Sequence, residues 1–348
     1  MAPAVSGPLS EGGFRGAARG YAVPRGRLAP SPTGLIHLGN ARTALAAWLS
    51  VRSRGGRLVW RLEDLDGPRV VAGMAEAAQE DLAWLGLDWD EGPGLGGPFA
   101  PYSQSQRRTV YEGALSRLHD KGRLFPCRLS RRDLEDLASA PHTRSGETPY
   151  RPALRPTDVD PAWLDDLLAG RRTDAAIRFR VEPGVTTFHD RVYGTVSDNV
   201  AETVGDFVLR RRDGLFAYQL AVVVDDLEMK IDDVVRGADL LDSTARQLQL
   251  IEALDGLPPF YAHVPLVRNA EGEKLSKRDQ ALTVRSLKAQ GVAPEQIVGY
   301  LAHSLGLLEK PQACRPLDLT HCFDWRRIPR EDLVLPADAV QVLRRVRC

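Results

Sequence analysis

The sequence predicts an α/β protein, and three stretches predict it. Arg27-Leu28-Ala29 reads as a short strand, the prolines between Pro30 and Gly34 fix φ and force a turn, and Asn40 to Leu49 is a run of good helix formers. Leu58 to Asp64 alternates as a second strand and breaks at Asp66-Gly67-Pro68. Downstream, Asp233 to Leu241 reads as a strand, and a helix over Ser243 to Leu254 follows with Ser243 as its N-cap.

At 348 residues the chain is long enough for two domains, or for one large domain with insertions. Lysine plus arginine equals aspartate plus glutamate at 46 each, so any RNA contact must use a local patch. Arginine clusters such as Arg171-Arg172, Arg210-Arg211-Arg212 and Arg326-Arg327 are either such patches or solvated surface. The four cysteines, Cys127, Cys314, Cys322 and Cys348, are sparse and irregularly spaced, which fits reduced cytoplasmic thiols better than a disulfide framework. No run of about 18 apolar residues is present to span a membrane. Residues 1–26, rich in Gly, Ala, Pro and Arg, read as a disordered extension, with an organelle-targeting peptide as the alternative.

The opening strand, turn and helix aim the free N–H groups of the first helical turn, and the positive end of the helix dipole, at the loop. An anion is favoured there, beside His37 and Gly39; the other reading of His37 is an ordinary histidine next to a turn. Glu63 stands at the carboxyl end of the second strand, where parallel α/β sheets bind ligands, and is either a receptor for an ammonium or hydroxyl group or a surface acid. Val71 to Leu85 and Arg107 to Lys121 are helical in pattern, with Gly122 stopping the latter. Ser139 to Pro161 reads as a long loop, and Ala176 to Val181 and Gly205 to Arg211 as strands, the second turning at Asp213-Gly214.

Phe216 to Asp226 is the strongest buried segment, and its Tyr218 is either a core aromatic or a substrate contact. Arg236 offers a guanidinium fork that grips a carboxylate bidentately. Asp233, three residues earlier on the strand, falls on the opposite face and need not neutralise it; Asp232 adds a second acid. His263 to Val267 is a strand feeding a Gly-containing turn, after which Lys274 and Lys277 lie on a loop able to place positive charge on phosphates. Leu282 to Leu287 and Pro294 to Leu305 look helical, and Trp325-Arg326-Arg327 is either an RNA contact or core packing.

His37-Leu38-Gly39-Asn40 resembles the His-Ile-Gly-His signature of class I aminoacyl-tRNA synthetases, and Glu273 to Arg278 resembles their Lys-Met-Ser-Lys-Ser loop. Arg61-Leu62-Glu63-Asp64, Trp89-Asp90-Glu91-Gly92-Pro93 and Pro101 to Ser105 resemble the glutamyl branch in the same order, and the likeness runs from Arg27 to about Arg327. It implies a Rossmann-like catalytic fold in two halves, 27–102 and 206–268, split by an insertion over 103–205. The lysine loop and a mostly helical, stem-contact-like region over 269–348 follow, with no anticodon-binding domain.

The resemblance further implies that Arg27, Leu28, Ala29, Pro30, Ser31, Glu63, Tyr218 and Arg236 hold L-glutamate. His37, Gly39 and Lys277 would bind ATP with its Mg2+, and His37, Asn40, Lys274 and Lys277 would serve catalysis. Asp233 stands where relatives carry His, and Val222 where full-length enzymes carry Asn, which removes one polar contact to substrate. Short relatives hold zinc through a Cys-x-Cys pair and a Tyr-x-x-x-Cys; the corresponding positions here are Cys127, Leu129, Tyr150 and Leu154, so no zinc is expected. The likeness is nearer to the short paralogues of the branch. These activate glutamate without tRNA and transfer it to the queuosine base in the anticodon loop of tRNA(Asp), as cytoplasmic enzymes expected here to be monomeric. The alternatives are a short enzyme charging tRNA 3′ ends and a catalytically silent RNA-binding paralogue.

Overall fold

A six-stranded sheet organises the computed structural model, which describes residues 23–130, 132–134, 148–275 and 279–347. Its strands are β1 (Arg25–Leu28), β2 (Arg57–Trp60), β5 (Thr186–Asp190), β6 (Gly194–Asp198), β8 (Asp233–Gly237) and β9 (Phe260–Val264), in the order β2-β1-β8-β9-β5-β6. All neighbours pair in parallel except β5 with β6. A smaller antiparallel sheet joins β3 (Leu124–Cys127), β4 (Ala176–Phe179) and β7 (Phe207–Arg210), in that order.

The helices that matter for the site are α1 (Leu38–Arg52), α2 (Met74–Trp84), α3 (Arg108–Asp120), α4 (Pro161–Leu168), α5 (Tyr218–Glu228), α6 (Thr244–Ala253) and α7 (Pro294–Ser304). On one side of the main sheet, Leu38, Leu45 and Leu49 of α1 pack with Ile297 and Leu301 of α7. On the other, Tyr111, Leu115 and Leu118 of α3 pack with Leu220 and Val224 of α5 and Leu248 of α6. Arg42, fully buried on α1, donates to the carbonyl oxygens of Pro265 (2.7 Å) and Ser304 (2.9 Å). It thereby ties the first helix to the segment that leads into the lysine loop, and burial lowers its pKa to about 10.

The structure revises several expectations. The first strand begins at Arg25, inside the expected extension, whose residues 1–22 lie outside the described residues. The sheets do not divide at residue 205: β5 and β6 come from the expected insertion yet join the main sheet, and β7 pairs with the insertion strand β4. Part of the expected loop is ordered, with a 3-10 turn over Pro152–Leu154, and α4 starts at Pro161. The buried run from Phe216 is a helix from Tyr218; its Val222, Val223 and Val224 are buried on a helix whatever their β-branching prefers. The strand from Asp233 ends at Gly237, and Ala238–Ser243 is a 3-10 helix. Because that helix runs straight into α6, Ser243 already has helical φ and ψ and makes no side-chain cap.

Candidate active site

The carboxyl ends of β1, β2 and β8 open into a cavity of about 1040 Å³. Arg27, Leu28, Ala29, Pro30 and Ser31 line it from the end of β1, His37, Gly39 and Asn40 from the start of α1, Tyr218 from α5, Arg236 from β8, and Glu63 and Lys274 from loops. Every described residue with an expected site role therefore meets in one space. Lys277 lies outside the described residues, with Ser276 and Arg278.

At the helix start, His37 is the N-cap of α1. Its Nδ1 accepts hydrogen bonds from the backbone N–H of Gly39 (3.1 Å) and Asn40 (3.3 Å), while Asn40 Oδ1 accepts from His37 N (3.3 Å). The sequence suggested first-turn N–H groups free for an anion; two of them, on Gly39 and Asn40, are instead taken by the histidine's own ring. A ring nitrogen that accepts carries no proton, so the neutral imidazole bears its hydrogen on Nε2 and offers that as the donor. Burial, and then Lys274, push the His37 pKa below its ordinary value, which keeps the ring neutral. A Cβ at Gly39 would sit 2.9 Å from His37 Cε1, so a larger residue there would displace the capping ring.

Lys274 follows the turn over Asn269 to Gly272, where Gly272 has φ +81°. Its Nζ pairs with Asp239 Oδ2 at 2.6 Å, just beyond β8. Val284 N donates to Ile36 O (2.8 Å), so the chain after the lysine loop folds back against the His37 motif.

At the other end, Arg27 donates to Val235 O (2.9 Å) and lies 3.5 Å from Asp226 Oδ1, while its Nε has no hydrogen-bond partner. Glu63 is set opposite Pro30 by its backbone N–H, and its Oε1 accepts from Arg61 Nη2 at 3.0 Å. Burial raises the Glu63 pKa even though Arg61 and Arg27 favour its ionised form. Burial likewise raises the Tyr218 phenol, with Glu63 adding to the effect. Arg236, 5 % exposed, donates to His263 Nε2 (2.9 Å), Gln247 Oε1 (2.7 Å) and Thr244 Oγ1 (2.9 Å).

Asp233 does leave Arg236 alone: it is buried with Ser50, Arg54 and Arg191 as partners, and Asp232 accepts from Arg25 N (2.8 Å). Val222 packs in the core and does not line the cavity, so the Asn-to-Val difference removes no contact at its wall among the described residues. Trp325 packs edge-on to Phe323 at 5.0 Å against the core, and the neighbouring Arg326 pairs with Asp324 (2.6 Å).

The four zinc-equivalent positions come together, but as an apolar cluster. Cys127 and Tyr150 are buried with Phe125 and Leu134, and Leu129 and Leu154 pack against them. Cys127 Sγ faces Leu129 O (3.9 Å) and the Tyr150 hydroxyl donates to Leu154 O (2.6 Å), so the two polar side chains turn to backbone carbonyls. This donor set does not fit a tetrahedral zinc site. No group of three or more His, Cys, Asp or Glu side chains positioned for a metal occurs among the described residues.

Sequence reasoning passed over Arg61, Asp226, Gln247, Thr244, Asp190 and His263 as contributors to the site. The available signal was chemical: Arg61 directly follows the apolar run Leu58-Val59-Trp60 and His263 interrupts the apolar strand β9, and both are buried where a polar group without a partner is too costly to persist.

Residues 24–329 match the family described as tRNA synthetases class I (E and Q), catalytic domain. A glutamyl-Q tRNA(Asp) synthetase of Symbiobacterium thermophilum is 45% identical over 91% of this chain and 98% of its own length. One of Nitratidesulfovibrio vulgaris is 45% identical over 92% and 98%. Among solved structures, the glutamate-tRNA synthetase of Elizabethkingia anophelis superposes with a TM-score of 0.79 at 30% identity, over 92% of this chain and 69% of that one.

Proposed function

Because the chain belongs to the class I tRNA synthetases of the glutamate and glutamine branch, we propose that it activates L-glutamate with ATP and transfers it to the queuosine base of tRNA(Asp). One observation carries the reading: a single cavity has a buried guanidinium with neutral partners at one end, and a neutral histidine N-cap beside a lysine at the other. That arrangement suits an anionic amino acid next to a triphosphate.

In this mechanism Arg236 takes the side-chain carboxylate of glutamate, and Glu63, beside Tyr218 and Arg27, takes its ammonium group. The α-carboxylate oxygen attacks the α-phosphorus in line, the bond to the leaving pyrophosphate breaks, and glutamyl-adenylate forms. His37 donates from Nε2 to a phosphoryl oxygen as charge develops, and Lys274 leaves Asp239 to meet the departing pyrophosphate, with Lys277 as its partner on the loop. Magnesium arrives on the ATP phosphates; no side chain is assigned to it. The glutamyl group then passes to the queuosine base and AMP is released. No covalent enzyme intermediate is needed.

The test is attachment of radiolabelled glutamate, with ATP, to tRNA(Asp) containing or lacking queuosine, and to tRNA(Glu). The expected result is labelling of the queuosine form alone, with glutamate-dependent exchange of pyrophosphate into ATP in the absence of tRNA. Labelling of tRNA(Glu) would instead make it a charging enzyme, and no labelling or exchange would leave a silent RNA-binding paralogue.

A further inference from the structure

Three adjacent parallel strands present a row of side chains on one face of the sheet. Arg236 of β8 is the register partner of His263 of β9, and Asp190 of β5 is the register partner of Tyr261, two residues before His263. The Arg236 Nε–H donates to His263 Nε2 at 2.9 Å, and His263 Nδ1 lies 2.6 Å from Asp190 Oδ2. Both His263 and Asp190 are fully buried. Since a guanidinium only donates, Nε2 must accept, so the ring proton is on Nδ1 and is given to Asp190. Asp190 is itself fixed, its Oδ1 accepting from Val192 N and Tyr193 N at 2.9 Å each.

The charges in this row matter as much as its geometry. Arg236 is held by an imidazole, an amide and a hydroxyl, and no carboxylate lies within ion-pair distance of it among the described residues. The nearest acid in the relay, Asp190, is kept one ring away. A direct Asp190–Arg236 pair would hold the guanidinium equally firmly but would spend its charge inside the protein. With the imidazole interposed, orientation is supplied and the charge is left for a ligand.

Resting on the glutamate reading above, we propose that Asp190 and His263 are positioning residues that orient Arg236 through a neutral imidazole, leaving its positive charge uncompensated so that it selects a carboxylate side chain.

The experiment uses the full chain and compares His263→Leu, His263→Gln and Asp190→Asn. KM for glutamate and for ATP is read from pyrophosphate exchange, and the His263 tautomer from 15N resonances of labelled histidine. Asp190→Asn turns an amide donor toward Nδ1, which forces the proton to Nε2 and sets two donors against each other at Arg236. The expected result is a rise of about tenfold or more in KM for glutamate in His263→Leu and Asp190→Asn, with KM for ATP within about twofold. Glutamine at 263, whose amide oxygen can replace Nε2 as acceptor, recovers most of the loss. The wild-type ring is protonated on Nδ1 and the Asp190→Asn ring on Nε2. Equal rises in both KM values, no rescue by glutamine, or an Nε2 proton in the wild type would each overturn the proposal. Absence of glutamate-dependent exchange in the wild type would overturn the functional reading instead, and the tautomer would still decide the relay. Should His263→Leu fail to fold, Asp190→Asn and the tautomer decide it.

Discussion

Arg61 and Arg236 are both buried arginines beside the cavity, and they are held in opposite ways. Arg61 pairs with Asp226 (2.5 Å) and Glu63 (3.0 Å) and lies 3.9 Å from Asp225, which also pairs with Arg107 at 2.7 Å. Arg236 is held by three neutral acceptors. The first guanidinium is saturated by the protein's own charge, and although burial opposes it, Asp226 and its neighbours hold the Arg61 pKa well above the ordinary value. The second is fixed in orientation, but neither its charge nor its remaining two Nη–H donors are taken up by the described residues. Burial alone does not distinguish a structural arginine from a receptor; the charge of its partners does.

The contrast breaks most visibly if the two residues are removed. Arg236→Met should lower kcat/KM for glutamate about a thousandfold, because a buried charge-assisted contact to substrate is lost. Its melting temperature should fall less than that of an Arg61 variant, since the acceptors left behind are neutral rather than charged. Arg61→Met should do the reverse at the level of folding: it leaves Asp226 and Glu63 to the more distant Arg27 and should cost roughly 3–5 kcal/mol in urea unfolding. If both variants lost stability equally, the distinction would fail.

A smaller effect sharpens the same idea at the phosphate end. The Lys274–Asp239 pair is about half exposed, with side chains 52% and 39% accessible, so it is worth at most about 1 kcal/mol. Asp239→Asn frees the lysine and should lower KM for ATP by up to about fivefold; an unchanged KM would show that the pair does not compete with phosphate.

The smallest expected effect is on pH dependence. His263 faces Asp190, Arg236 and Thr244, and burial lowers its pKa below the ordinary 6.5 despite the hydrogen bond to Asp190. The unfolded chain therefore binds a proton on this residue that the folded chain refuses. Stability should fall as pH drops through 6.5 toward the native value, by at most about 1.4 kcal/mol per pH unit from this group. Urea unfolding of His263→Gln across that window should show a shallower acid slope.

Local signals in the sequence carried the strand, turn and helix around His37, the carboxyl-end acid Glu63 and the fork at Arg236, because prolines, glycines and alternation act over a few residues. The partners of Arg61 and Arg236 were not legible in the same way. Arg61 meets Asp226 across 165 residues of chain and Arg236 meets His263 across 27, and only the sheet order brings them together. The β5–β6 hairpin was missed because its strands are polar and half-exposed, with no clean apolar alternation. His37 was expected beside an anion held by the helix start; that its own ring caps the helix depends on a χ choice that sequence does not state.

The most direct test of the central claim is the ratio of kcat/KM for glutamate to that for glutamine, in pyrophosphate exchange, for the wild type and for Arg236→Gln. An uncompensated guanidinium predicts strong preference for glutamate in the wild type and a collapse of that preference by about a hundredfold or more in the variant. A ratio that survives the substitution would show that the carboxylate is recognised elsewhere and that the charge left open at Arg236 serves another purpose.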